Sequence, residues 1–213
     1  MRGVSGLLTA LLLLGSPLDV PAADGSPPPP FDEIAFDEYD EMIARAEVAR
    51  QVLTFLQTVG THWGQSPEAV RDAVTGDIMR DAHGTLIYSR ALADHGILEG
   101  YEFHDRSLVR GNYRCIQRPI RGLNEFIGYY NAVKDAVTNS YGAPVQEETV
   151  WENNLYQPLP EYWGVAVMIG HLRYRGRWET SDGTISIELT GNRHSRLVID
   201  YRSKVFIGNK LAL

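Results

Sequence analysis

The chain has 213 residues, with 20 Lys and Arg against 27 Asp and Glu, and a single cysteine. The formal charge of −7 disfavours a nucleic-acid partner, and one cysteine excludes an internal disulfide, so stability must come from a packed core. The acidity is local: Arg2 and Asp19 cancel, and Asp24, Asp32, Glu33, Asp37, Glu38, Asp40 and Glu41 account for the rest, which leaves residues 43–213 balanced.

Met1 and Arg2, the apolar run Gly6–Gly15 and the small residues of Val20-Pro21-Ala22-Ala23 read as a secretory signal peptide over residues 1–23. The run falls well short of the roughly 20 apolar residues a membrane-spanning helix needs. No cysteine stands directly after it, so neither a membrane span nor a lipid anchor is expected, and the mature protein is expected in the periplasm or outside the cell. Residues 24–36 read as a Pro-rich, acidic linker, because the successive prolines of Asp24–Pro30 hold an extended polyproline path. Residues 37–213 then form one α+β domain in two blocks, about 37–120 and 121–213.

The first block opens with a helix over Asp37–Gln57, where Tyr39, Met42, Ile43, Ala46, Leu53 and Leu56 recur at helical spacing behind an acidic first turn. That acidic start is either a docking arm for a basic partner or a solvated helix N-terminus. Ser66-Pro67-Glu68 announces a second, two-turn helix, with Ser66 as N-cap and Pro67 in the first position. Strands are expected at Thr85–Arg90, Ile97–His104 and Leu108–Gln117, separated by turns at Asp94-His95-Gly96 and Asp105-Arg106. The second block repeats the order. A helix runs from an Asn124 N-cap through Phe126, Ile127, Tyr130, Val133 and Val137 to a glycine stop at Gly142. A short strand at Thr149–Asn153 and a short helix at Pro160–Ile169 follow. Strands at His171–Thr180, Thr184–Leu189 and Arg196–Ser203 close the chain, with hairpin turns at Ser181-Asp182-Gly183 and Gly191-Asn192-Arg193. The fold class is therefore α+β, two helix-then-antiparallel-sheet blocks with the helices packed on one face, in one sheet or two.

Trp63-Gly64-x-Ser66-x-x-x-Val70, Tyr141-Gly142-x-Pro144, Trp151, Trp163-Gly164, Gly170-x-Leu172-x-Tyr174-x-x-x-Trp178-Glu179 and Ile199-x-Tyr201-x-Ser203 resemble the pattern of a group of uncharacterised exported bacterial proteins. The order of elements is also similar to the tandem plan of the β-lactamase inhibitory protein and of small outer-membrane assembly lipoproteins. That resemblance implies a binding role, and it supplies no catalytic residue.

The residues point the same way through strand parity. From His171, odd positions carry His171, Arg173, Arg175, Arg177 and Glu179, while even positions carry Leu172, Tyr174, Gly176 and Trp178; side chains alternate faces, so the arginines point out together. Arg196 and Arg202 share the outer face on the last strand, and Arg106, Arg110, Arg114 and Arg118 share even parity in the first block if that strand runs unbroken. Arg173, Arg175, Arg177, Arg196 and Arg202 are the candidate binding residues. This face serves as a solvated surface with local ion pairs such as Arg175 or Arg177 with Glu188, as a site for an anionic ligand, or as the seat of the chain's own acidic segment. The leading reading is an exported, non-enzymatic binding or inhibitor-like protein whose partner is an envelope or secreted protein or another anionic ligand. The alternative is an envelope hydrolase assembled from distant residues, such as His104 or His171 with a nearby acid. No cofactor or metal is expected, since His62, His83, His95, His104, His171 and His194 occur singly. Cys115 reads as a buried thiol before an intermolecular disulfide or a nucleophile, and Trp63, Trp151, Trp163 and Trp178 as core before a ligand platform. The pattern leaves the oligomeric state open.

Overall fold

A computed structural model describes residues 33–82, 84–92, 95–116 and 124–204. The expected signal peptide, His83 and Arg118 lie outside the described residues. The first block comprises α1 (Glu33–Thr61), α2 (Pro67–Ala73), β1 (Asp77–Ala82), β2 (Thr85–Leu92), β3 (His95–His104) and β4 (Ser107–Ile116). The second comprises α3 (Glu125–Tyr141), β5 (Gln146–Trp151), a 3-10 turn at Pro160–Tyr162 leading into α4 (Trp163–Met168), β6 (Leu172–Glu179), β7 (Gly183–Gly191) and β8 (Ser195–Ser203).

The strands form one eight-stranded sheet in the order β1-β2-β3-β4-β8-β7-β6-β5, antiparallel throughout. Each block contributes a meander of four strands, and the two last strands pair at the centre, so the strand order of one half mirrors that of the other about the β4–β8 pair. This settles the one-sheet arrangement.

The helices cover one face, and strict alternation supplies their floor. Leu172 and Trp178 of β6, Ile185, Ile187 and Leu189 of β7, and Leu197, Ile199 and Tyr201 of β8 are buried toward α3 and α4, while Tyr101, Tyr113 and Cys115 are buried toward α1. Phe55 of α1 stands between the rings of Tyr101 and Tyr113, with centroids 5.8 and 5.6 Å away. Close approach has a specific cause at Gly111, where a Cβ would lie 2.4 Å from Val59 Cγ2 and 2.9 Å from Phe55 Cζ. Gly111→Ala is accordingly expected to lower stability by about 1–3 kcal/mol through overpacking, read as a lower urea midpoint at unchanged m-value.

Several local expectations hold in detail. Ser66 Oγ accepts from Ala69 N at 3.4 Å to cap α2, and Gly142, at φ 90°, ends α3. Asp105 and Arg106 both have positive φ (48° and 61°), the type I′ geometry that matches the twist of a two-residue hairpin. All four tryptophans pack in or against the core, Trp63 edge-on to Tyr201 and Trp151 edge-on to Trp163. Cys115 is fully buried, and burial pushes its thiol up to about 12, so it is inert as a nucleophile at neutral pH.

Other boundaries differ for physical reasons. α1 begins at Glu33, four residues before the expected start, so the acidic run belongs to a helix that packs on the covered face. Asn124 occupies the N-cap position of α3 as expected, but its side chain makes no cap hydrogen bond; its Oδ1 accepts from Gly164 N at 2.7 Å and its Nδ2 donates to Pro160 O at 3.0 Å, so the amide ties the start of α3 to α4 instead. His95-Gly96 lies in β3 instead of a turn; Arg106 lies in the expected turn, so the even-parity row of β4 does not extend to it. β1 carries no buried residue, and its pairing with β2 alone makes it a strand.

Candidate functional site

The uncovered face is built by the opposite parity of the same strands. Gln146 and Glu148 of β5, Arg175 and Arg177 of β6, Ser186 and Glu188 of β7, Asp200 and Arg202 of β8, and Arg110, Asn112 and Arg114 of β4 stand on it in register. Antiparallel registry puts Gln146, Arg177, Ser186, Asp200 and Asn112 in one row, and Glu148, Arg175, Glu188, Val198 and Arg114 in the next.

At one end the charges neutralise one another. Arg110 grips Asp200 through Nε (3.1 and 2.9 Å) and Nη2, and reaches Glu102 through Nη1 at 3.0 Å. Arg202 holds Asp200 from the other side, at 3.0 Å through Nε and 3.2 Å through Nη2. Burial alone would raise the Asp200 pKa, but these two guanidinium groups outweigh it and hold the carboxyl below its ordinary range. Arg177 pairs with Glu179 at 2.6 Å, and Lys204 joins Glu179 at 3.3 Å.

Four of the five arginines expected to bind are thus engaged. Arg173 contacts Glu152, Arg175 reaches Glu188 at 3.2 Å as expected from parity, and Arg177 and Arg202 are paired as above. The groove of about 350 Å³ between β5 and β8 is lined by Glu148, Glu188 and Asp200 as well as by Arg175, Arg177 and Arg202. Its formal charges cancel.

Arg196 is different: it is exposed and has no carboxylate partner among the described residues. Its neighbour is Arg114, which the parity argument placed on this face without naming it as a binding residue. Arg114 is also exposed; its Nε donates to Asn112 Oδ1 at 2.6 Å, and it too has no carboxylate partner among the described residues. Arg114 lies opposite Val198 and Arg196 opposite Ile116, so the two are diagonal neighbours across the central β4–β8 pair, with Cα atoms about 7–8 Å apart. Their charges add.

The histidines form no comparable arrangement. His104 Nε2 is 3.4 Å from Asp105 Oδ2, but both side chains are exposed at a hairpin tip. His171 sits beside the Tyr156 ring at a centroid distance of 6.2 Å. Neither the outer groove nor a second cleft on the covered face is lined by a histidine. Among the described residues, no group of three or more His, Cys, Asp or Glu side chains is placed to hold a metal ion, and no helix is long and apolar enough to cross a membrane.

No protein-family model matches the chain, and no curated protein matches it either. A crystal structure of a DUF4309-family protein, YjgB from Bacillus subtilis, is similar over 76% of this chain and 99% of that one, at 11% identity and a TM-score of 0.37. A likeness of that extent identifies neither a family nor a ligand.

Proposed function

We propose that this is an exported, non-enzymatic binding protein that holds an acidic segment of an envelope or secreted partner against its open sheet face. The observation that carries the reading is the adjacency of Arg114 and Arg196, two exposed arginines left without carboxylates at one end of the central β4–β8 pair, on a face whose other arginines are mostly paired. Planar guanidinium groups suit bidentate contact with carboxylates, and the sheet backbone holds the two Cα atoms at fixed spacing. The neighbouring groove supplies donors and acceptors in balanced number, which favours register over bulk attraction.

The test uses a fluorescently labelled Glu-rich peptide at low salt, followed by anisotropy. The wild type is expected to bind saturably, with affinity falling as salt rises. Arg114→Glu/Arg196→Glu is expected to weaken binding by about tenfold or more, equivalent to about 1.4 kcal/mol. Equal affinity of the double variant and the wild type would remove this face from the function.

A further inference from the structure

A second charged pair lies on the covered face, and the outer surface does not use it. Glu99 projects from β3 between Ile97 and Tyr101 and is only 4% exposed. Enclosing a carboxylate is costly unless its lone pairs are satisfied. Here both contacts fall on Oε2: Arg90 Nη2 lies 3.2 Å away, and the Tyr101 hydroxyl donates at 3.2 Å. Among the described residues, Oε1 accepts no hydrogen bond, and unlike Arg90 Nε it is not enclosed, so it is the oxygen left open to the cleft. Arg90 Nε is enclosed and donates to nothing, so a ligand can be met only by the Nη groups of its guanidinium. Burial raises the Glu99 pKa against the opposing pull of Arg90 and Tyr101, so the fold leaves the ion pair under-solvated.

The pair borders a cleft of about 160 Å³ between α1, the end of α2, and strands β2 and β3. That is below the roughly 300–1,000 Å³ of sites for drug-sized ligands, so its occupant is small. Thr54, Thr58 and Thr75 add hydroxyls to the lining, and Phe55 and Val74 add an apolar wall. The hydroxyls of Thr54 and Thr58 already donate to Arg50 O and Thr54 O, at 3.0 and 2.9 Å, and so present acceptors only. Arg50 stands at the rim, neutralised by Glu47.

A ligand that completes this site must bring an acceptor for Arg90 and a donor for Glu99 within one short span. A lone anion leaves Glu99 unserved and is repelled by it; a lone cation meets the same objection at Arg90. A carboxylate and an ammonium on one carbon satisfy both, as two ion pairs set head to tail with no net charge added to a buried place. We propose that this cleft binds a free α-amino acid with a small apolar side chain, its carboxylate on Arg90, its ammonium on Glu99 and the Thr54 and Thr58 oxygens, and its side chain against Phe55 and Val74. This reading is independent of the outer face.

The experiment is an amide-shift titration of the full mature chain by NMR, with L-alanine, acetate, methylammonium and glycerol as separate probes. L-alanine is expected to give saturable shifts around Gly76 and Gly100, with acetate, methylammonium and glycerol each binding about tenfold or more weakly. Glu99→Gln, which keeps the volume and hydrogen-bonding reach of the side chain, is expected to weaken L-alanine about tenfold while leaving the amide spectrum folded; Arg90→Gln is the companion variant. Arg114→Glu/Arg196→Glu is expected to leave L-alanine binding unchanged. The proposal is overturned by the absence of saturable shifts with L-alanine, by acetate binding as tightly as L-alanine, or by unaltered affinity in Glu99→Gln.

Discussion

Trp178→Ala is expected to lower the unfolding free energy by about 3–5 kcal/mol, the cost of removing a large aromatic side chain from a packed core. Trp178 is fully enclosed on the covered face of β6. Its ring lies over Gly176 on the same strand, where a Cβ would come within 2.5 Å of Trp178 Cη2, and the Tyr130 hydroxyl of α3 approaches the same spot. Glycine and tryptophan are therefore one packing unit: the missing side chain makes the space that the indole occupies. Because domains of this size have total stabilities of about 5–15 kcal/mol, the loss would remove a large share of the total. Urea unfolding with near-UV circular dichroism would measure it, and a loss below about 1 kcal/mol would contradict the packing described. Trp178→Phe, which retains most of the apolar area, should cost less.

The second large effect is expected at Asp200. Its carboxylate is shared by Arg110 and Arg202, which face each other directly across β4 and β8. Asp200→Ala leaves two opposed guanidinium groups with Glu102 as their nearest counter-charge, and Arg110 is largely covered. The expected cost is about 2–4 kcal/mol, toward the range for breaking an enclosed pair and above that of an exposed one. The pH dependence has a definite sign. A carboxyl held below its unfolded value contributes its stabilisation in full above that value, near 3.8, and loses it as pH falls through the lower folded pKa. The difference between wild type and Asp200→Ala should thus be largest at neutral pH and shrink below about pH 4. A difference that stays constant from pH 7 to pH 2 would show that Asp200 acts through packing alone.

The α+β class, most element positions and the parity of β6, β7 and β8 were legible in the chain because they depend on local periodicity. Leu172, Tyr174, Gly176 and Trp178 alternate with Arg173, Arg175 and Arg177 regardless of what lies beside the strand. β1 was not legible: Asp77–Ala82 buries nothing, so it lacks the alternation that marks a strand, and only its hydrogen bonds to β2 define it. Asn124 looked like a helix cap, but α4, some forty residues later, presents Gly164 N and Pro160 O to the same amide. Glu99 carried no signal at all, since a glutamate in a strand is ordinarily solvated.

Composition and local pattern alone determined that this is a chain with an expected export signal, a single cysteine, an acidic N-terminal run and strands bearing arginine on one face. Tertiary structure decided which of those arginines carry uncompensated charge. Pairing of β4 with β8 brings Asp200 to Arg110 across ninety residues of sequence, and the same pairing sets Arg114 beside Arg196 with no carboxylate between them. Parity is a property of one strand, whereas neutralisation depends on its neighbours. Strand order is fixed by long-range burial and hydrogen bonding, which no local spacing encodes.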